Sequence, residues 1–167
     1  LLEEPLDLMV VVGGYNSSIT CNLAAICQAK GVWTIHIEDA DCILIVGSNP
    51  RVEASLLNAR IRKRWRTAGI RVGMIGEEAD LTYPHEYLGA GPATLAAIER
   101  GEGDFAAALR AAKKPIAVVG QGALSRPDGQ SVLAAASRLA SGDRAEGWNG
   151  LGILHHAASR VAGLDVG

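Results

Sequence analysis

The stretch Cys42-Ile43-Leu44-Ile45-Val46-Gly47-Ser48-Asn49-Pro50-Arg51 constrains the fold more than any other part of this 167-residue chain. Its apolar opening, rich in β-branched residues and without a polar break, suits a strand covered on both faces, and therefore a parallel sheet. Gly47 permits a sharp exit. Ser48 and Asn49 can cap a helix, and Pro50 is tolerated at the first helical position because its missing N–H is unneeded there. Ligands of open α/β sheets sit at such carboxyl ends of strands, so a site is expected here.

The flanking segments repeat this strand-to-helix pattern. Residues 6–14 read as a buried strand, followed by a helix from about Ile19 to Lys30 that Gly31 closes. Leu23, Ile26 and Cys27 fall at helical spacing. Residues 32–37 read as a second strand, completing a right-handed βαβ unit, and residues 38–41 form an acidic connector. A helix is predicted over residues 52–68, with Leu56, Leu57, Ile61 and Trp65 on one face and Arg60, Arg62, Lys63, Arg64 and Arg66 on the other. That basic face is the one concentration of charge, and reads as a solvated face or a protein-docking surface.

Residues 71–76 are expected to form a fourth strand, and residues 77–89, which fit neither period, a long loop. Helices follow over residues 92–100 and 104–112, a fifth strand over 115–120 and a helix over 130–140. A polar linker at 141–150 leads to a last helix over 151–161. The pattern predicts an α/β fold: a doubly wound parallel sheet of about five strands, flavodoxin-like or Rossmann-like, in the order 2-1-3-4-5, making residues 1–167 a single domain.

Composition narrows the function classes. Hydrophobic residues reach 49% but aromatics only 4%, which implies an aliphatic core. A net charge of −2 gives no general pull toward nucleic acid or membrane, and stacking aromatics are scarce. Cys21, Cys27 and Cys42 lack metal-type spacing and read as reduced thiols of a cytoplasmic protein. No apolar run approaches the length of a membrane span, and the acidic first eight residues do not resemble a signal peptide.

Glycines end three strands, at Gly13-Gly14, Gly47 and Gly120, and are expected along one sheet edge. Neither G-x-G-x-x-G nor the P-loop pattern occurs at any of them. Gly14, Ser17 and Ser18, at a helix N-terminus, are candidates for holding a phosphate or diphosphate. His155 and His156 are neighbours on the expected last helix and diverge by about 100°, which suits no shared metal. His85 and Glu86 read as surface residues of the long loop, and His36 as a strand residue.

From about Glu38 onward the chain resembles the large iron–sulfur subunit of respiratory complex I, NADH:quinone oxidoreductase, in its molybdopterin-oxidoreductase-like region. The resemblance rests on residues 45–54 and 57–63, Asp80-Leu81-Thr82-Tyr83 with Tyr87-Leu88-Gly89, Lys114-Pro115-Ile116 with Arg126-Pro127-Asp128-Gly129, and Gly147-Trp148-Asn149-Gly150 through Leu164-Asp165-Val166-Gly167. It implies a scaffold derived from a molybdenum enzyme, with cluster-binding cysteines that lie elsewhere in the subunit. Residues 1–37, above all Leu6-Asp7-Leu8-Met9-Val10-Val11-Val12-Gly13-Gly14-Tyr15-Asn16-Ser17-Ser18, are similar instead to 4-hydroxy-3-methylbut-2-enyl diphosphate reductase, whose Ser-Ser-Asn motif binds diphosphate; here Ile19 replaces the asparagine.

Together the two resemblances imply a chimera joined near residues 37–41, an engineered fusion or an excised fragment, with Val10 to Val12 beside Ile43 to Val46. The expected function is a non-catalytic structural module without cofactor. The alternatives are a phosphate-binding module at Gly14, Ser17 and Ser18, and a docking scaffold whose Arg60, Arg62, Lys63, Arg64 and Arg66 meet other protein subunits. No nucleic acid and no membrane insertion are expected, whereas an exposed sheet edge would favour a homo-oligomer.

Overall fold

The computed structural model describes residues 8–11, 22, 25–26, 29, 33–141 and 148–155. Strand β3 (Cys42–Val46) is buried along its whole length and forms the centre of an all-parallel sheet. Strands β4 (Arg71–Ile75) and β5 (Glu86–Gly89) lie on one side of it, β6 (Pro115–Gly120) and β7 (Leu151–Leu154) on the other. The predicted α/β class with a five-stranded parallel sheet therefore holds.

Its composition and order differ from the expectation. The order is β5-β4-β3-β6-β7, while β1 (Leu8–Val11) and β2 (Trp33–His36) pair in parallel as a separate two-stranded sheet. Because β4 and β6 occupy both edges of β3, β1 does not lie beside Ile43 to Val46 as the joined-fragment reading required. Two members of the main sheet escaped the sequence reading. Strand β5 lies in the segment read as loop, because its four residues are too few to display a period, and β7 replaces the start of the expected last helix. Gly152 within β7 disfavours helix, and pairing with β6 decides the outcome.

Side chains alternate along the strands, so each face has its own core. Leu44, Val46, Ala117 and Val119 face α3 (Pro92–Arg100), α4 (Asp104–Ala111) and α6 (Gly129–Ala140) through Leu95, Ile98, Phe105, Leu109 and Leu139. Gly73 is required on this face: a Cβ there would stand 2.7 Å from Leu88 and overlap the Phe105 ring. Ile43, Ile45, Val72, Met74 and Val118 face the other way, onto Leu57 and Ile61 of α2 (Ser55–Ala68) and onto Leu81 and Tyr83.

Two contacts hold the amino ends of the central strands. The Asp41 carboxylate accepts backbone N–H groups from Lys113 at 2.8 Å and Lys114 at 3.0 Å, and Trp148 Nε1 donates to the Pro115 carbonyl at 2.8 Å. Registers run in phase, with Val46 opposite both Ile75 and Val119. The carboxyl ends of β3, β4 and β6 therefore finish level. Among the described residues, no helix is long and apolar enough to cross a membrane.

Candidate functional site

The level strand ends bring Gly47, Gly76 and Gly120 together. Gly47 adopts φ +59 and donates its N–H to the Ile75 carbonyl at 2.8 Å. Its carbonyl packs so tightly on Gly120 that a Cβ at Gly120 would overlap it and stand 2.8 Å from Ser48 Cβ. A Cβ at Gly76 would lie 3.3 Å from Gly47 Cα. Backbone thus packs on backbone between the β3 and β6 ends, and the open space of this edge lies to either side of the loop. Gly13-Gly14, expected on the same edge, lies outside the described residues.

The helix start beyond Gly47 is built largely as its sequence suggests. Asn49 is the N-cap, its side-chain oxygen accepting the Arg51 N–H at 3.2 Å, and Pro50 opens the four-residue helix α1 (Pro50–Glu53). A break at Ala54 separates α1 from α2, which the sequence had merged. Glu53 then turns back on the loop. Its carboxylate accepts the Asn49 N–H at 2.8 Å and the Ser48 hydroxyl at 3.0 Å, so the donors of this strand end are held by the chain's own anion. Sequence reasoning passed over Glu53, although an acid in the first turn behind a Ser/Asn cap is a known capping signal.

Two hollows flank this loop. One, of about 300 Å³, is lined by Ser48, Asn49, Glu53, Glu77 and Glu78, and its acidic wall is unsuited to a phosphate. The other, of about 240 Å³ and mostly apolar, lies between Val46, Ile75, Leu95 and Val132, with Arg126 and Asp128 at its rim. Arg126 donates to Asp128 at 2.9 Å, and that bond holds the Asp128 carboxyl below its ordinary range.

The basic helix sorts into inward and outward cations. Arg60 and Lys63 both reach the Glu38 carboxylate, at 3.3 and 2.8 Å, and Arg64 donates to the Ala40 carbonyl at 2.7 Å. These contacts fasten α2 to the 3-10 turn Ile37–Asp39. Arg62 and Arg66 are exposed and form no ion pair with any described residue. Leu56, expected on the apolar face with Leu57 and Ile61, points outward instead and is 77% exposed, because it stands about 100° around the helix from Leu57 and on the side away from Ile61.

A strap over residues 80–83 lies along the same helix. Asn58, only 6% exposed, donates to the Leu81 carbonyl at 3.0 Å and accepts the Tyr83 hydroxyl at 2.9 Å. Burial pushes the Tyr83 phenol above its ordinary range. Thr82 between these anchors adopts φ +70, a conformation that a β-branched residue rarely takes. Its N–H donates to Asp80 Oδ1 at 2.8 Å, which, with Arg51 beside it, holds the Asp80 carboxyl below its usual range. Arg51 donates to Asp80 at 2.6 Å. A groove of about 510 Å³ runs between strap and helix, lined among others by Arg51, Asn58, Arg62, Arg66 and Thr82.

The remaining candidates are scattered. Gly14, Ser17 and Ser18 lie outside the described residues, as do Cys21, Cys27 and His156. His85 is half-buried with Nδ1 3.2 Å from the Tyr83 carbonyl, and Glu86 pairs with Arg71 at 2.7 Å, so both serve local structure. His155 follows β7 and is exposed. Cys42 is buried in the core, which pushes its thiol up to about 12. Among the described residues, no group of three or more His, Cys, Asp or Glu could hold a metal ion.

A family model described as molybdopterin oxidoreductase matches residues 7–167 and so covers both sides of the connector at 37–41. Over 133 residues the chain is 43% identical to NADH dehydrogenase (ubiquinone) iron-sulfur protein 1, mitochondrial, of Solanum tuberosum, covering 78% of this chain and 18% of that protein. It is 41% identical over 137 residues to the NADH-ubiquinone oxidoreductase 78 kDa subunit of Neurospora crassa, covering 80% and 18% respectively. The 75 kDa subunit of Reclinomonas americana is 40% identical over 133 residues, covering 78% and 19%. The chain thus spans about a fifth of the length of these curated relatives, and nothing in the comparisons marks a second parent for residues 1–37. The chain belongs to the molybdopterin oxidoreductase family.

Proposed function

We propose that this chain is a non-catalytic structural module within a subunit of an NADH:quinone oxidoreductase of the complex I type, with no electron-transfer centre of its own. The observation that carries this reading is the Glu53 carboxylate seated on the Ser48 hydroxyl and the Asn49 N–H. A molybdopterin group bears a phosphate, which would need donors and positive potential at a strand end or helix start. Here the donors are spent on Glu53, the neighbouring wall carries Glu77 and Glu78, and the β3 and β6 ends close on each other at Gly47 and Gly120. The described residues on the Glu53 side of this edge do not fit the group.

One family model on both sides of residues 37–41 supports a single parent, and β3, flanked by β4 and β6, offers no edge to a grafted strand. Neither observation calls for a fusion. The relatives are named as subunits or proteins of NADH dehydrogenases, which supports a place in a multi-subunit assembly. The exposed face of α2 supports a second role, docking to a neighbouring protein.

An absorbance spectrum of the purified chain, before and after dithionite, tests the structural reading. It predicts a spectrum without visible bands. A visible band bleached by reductant would establish a redox centre and overturn it.

A further inference from the structure

Helix α2 contains no acidic residue from Ser55 to Ala68. Its cations therefore lack the Glu or Asp partners, three or four residues away, that commonly neutralise a surface helix. Two exposed residues, Arg62 and Arg66, stand one turn apart with no ion pair among the described residues. Position near the helix C-terminus accounts for the sign of Arg66, but not for an unpaired pair of guanidinium groups beside an open groove.

The same outward arc bears apolar surface. On an ideal helix Ser55, Leu56, Ala59, Arg62, Lys63 and Arg66 fall within about 120°, and all six are exposed. Leu56 is 77% exposed, and Val52, on the turn before, is 78% exposed. Exposed apolar residues beside cations mark a contact surface more than a solvated face. The stripe from Leu56 to Arg66 is about 15 Å long, so it matches three turns of another helix. The strap at Thr82 and the Arg62–Arg66 part of the stripe wall the groove of about 510 Å³, while Leu56 borders an adjoining apolar hollow of about 450 Å³ with Ile153 and Leu154.

We propose that this stripe docks an acidic amphipathic helix of a partner protein: Leu56 meets its apolar residues, and Arg62 and Arg66 meet its carboxylates. The inference deepens the docking reading above and rests on it. Carboxylates are favoured in the first turn of a helix, so a partner running antiparallel to α2 places its acidic start against Arg62 and Arg66 and its apolar stretch against Leu56. Arg60, Lys63 and Arg64 take no part, since Glu38 and the Ala40 carbonyl already hold them. Nucleic acid is disfavoured because the stripe carries no aromatic residue on which a base could stack.

The test uses the full chain and a fluorescent helical peptide of about four turns, with Glu in its first two turns and Leu along one side of the remainder. Anisotropy should show saturable binding that weakens about tenfold in R62E/R66E, and as salt is raised, as expected for charge-assisted docking. Leu56→Asp should weaken it similarly. The milder R62Q/R66Q should show an intermediate loss with an unchanged melting temperature, which separates docking from folding. Absence of binding, indifference to R62E/R66E, or equal binding of a peptide with Lys in place of Glu would each overturn the proposal. Sedimentation showing a dimer that R62E/R66E dissolves would assign the stripe to a second copy and overturn it too. The dithionite spectrum is independent of all these outcomes, so failure of the docking inference is distinguishable from failure of the structural reading.

Discussion

The β3 and β6 ends meet through backbone approach at Gly120, and the substitution Gly120→Ala measures that approach. The backbone there has φ −73 and ψ 145, which any residue adopts, so conformational strain does not enter. On unfolded-state entropy alone, Gly→Ala should stabilise by about 0.4–1 kcal/mol. Against this, the new Cβ overlaps the Gly47 carbonyl and crowds Ser48 Cβ at 2.8 Å, both on a loop tied to β4 through the Gly47 to Ile75 hydrogen bond. Overpacking of this kind costs about 1–3 kcal/mol, leaving a net destabilisation of about 1–2 kcal/mol. For a domain of this size that lowers Tm by roughly 2–8 °C.

Gly122, two residues on, supplies the control. It lies in α5 (Gln121–Leu124), and a Cβ there would meet nothing within 4 Å. Gly122→Ala should therefore stabilise by about 0.5–1 kcal/mol. Thermal melts followed by circular dichroism on both variants read the difference in sign. A Gly120→Ala melt at or above the unsubstituted value would refute the close approach of the β3 and β6 ends.

Three further outcomes follow from the strap and the core. Asn58→Ala leaves the buried Tyr83 hydroxyl and Leu81 carbonyl without their partner, and should cost about 2–4 kcal/mol by urea denaturation; Tyr83→Phe should cost less, with the double variant showing clear coupling. Thr82→Gly relieves the positive-φ strain and should stabilise by up to about 1 kcal/mol despite the added unfolded-state entropy, whereas a loss would show that the threonine side chain is needed there. The Cys42 thiol, pushed up to about 12 by burial, should resist alkylation at mild alkaline pH in the folded chain and react once urea is added, read by peptide-resolved mass spectrometry. Because its folded value lies above the unfolded one, its contribution to stability is complete below about pH 9 and is lost as pH rises toward 12.

The legible parts of the fold were those in which local chemistry and tertiary context agree. Strand β3, the Asn49 cap, Pro50 at the helix start and the helices over Pro92–Arg100 and Gly129–Ala140 follow from period, cap and breaker. Strands β5 and β7 were hidden because four residues exposed in part on a sheet edge carry almost no periodic signal, and parallel pairing to β4 and β6 makes them strands. Leu56 was misplaced because adjacent helical residues diverge by about 100°, so Leu56 cannot share the face of Leu57, Ile61 and Trp65. At the site, glycines at the strand ends could be read from the chain, but their mutual contact depends on register. The division of the basic face into Arg60 and Arg64 inward and Arg62 and Arg66 outward likewise depends on where the 3-10 turn packs.

Glu53 occupies the Ser48 hydroxyl and the Asn49 N–H, two of the donors that a phosphate at this strand end would need. Titration of pyrophosphate into the ¹⁵N-labelled full chain, followed at the backbone amides of residues 47–50 and 120–122, tests this most directly. The amides of Gly47 and Asn49 should remain unmoved across the titration, since Ile75 and Glu53 already accept from them. Saturable shifts of the Gly47 and Asn49 amides would place a phosphate at this edge and overturn the structural reading.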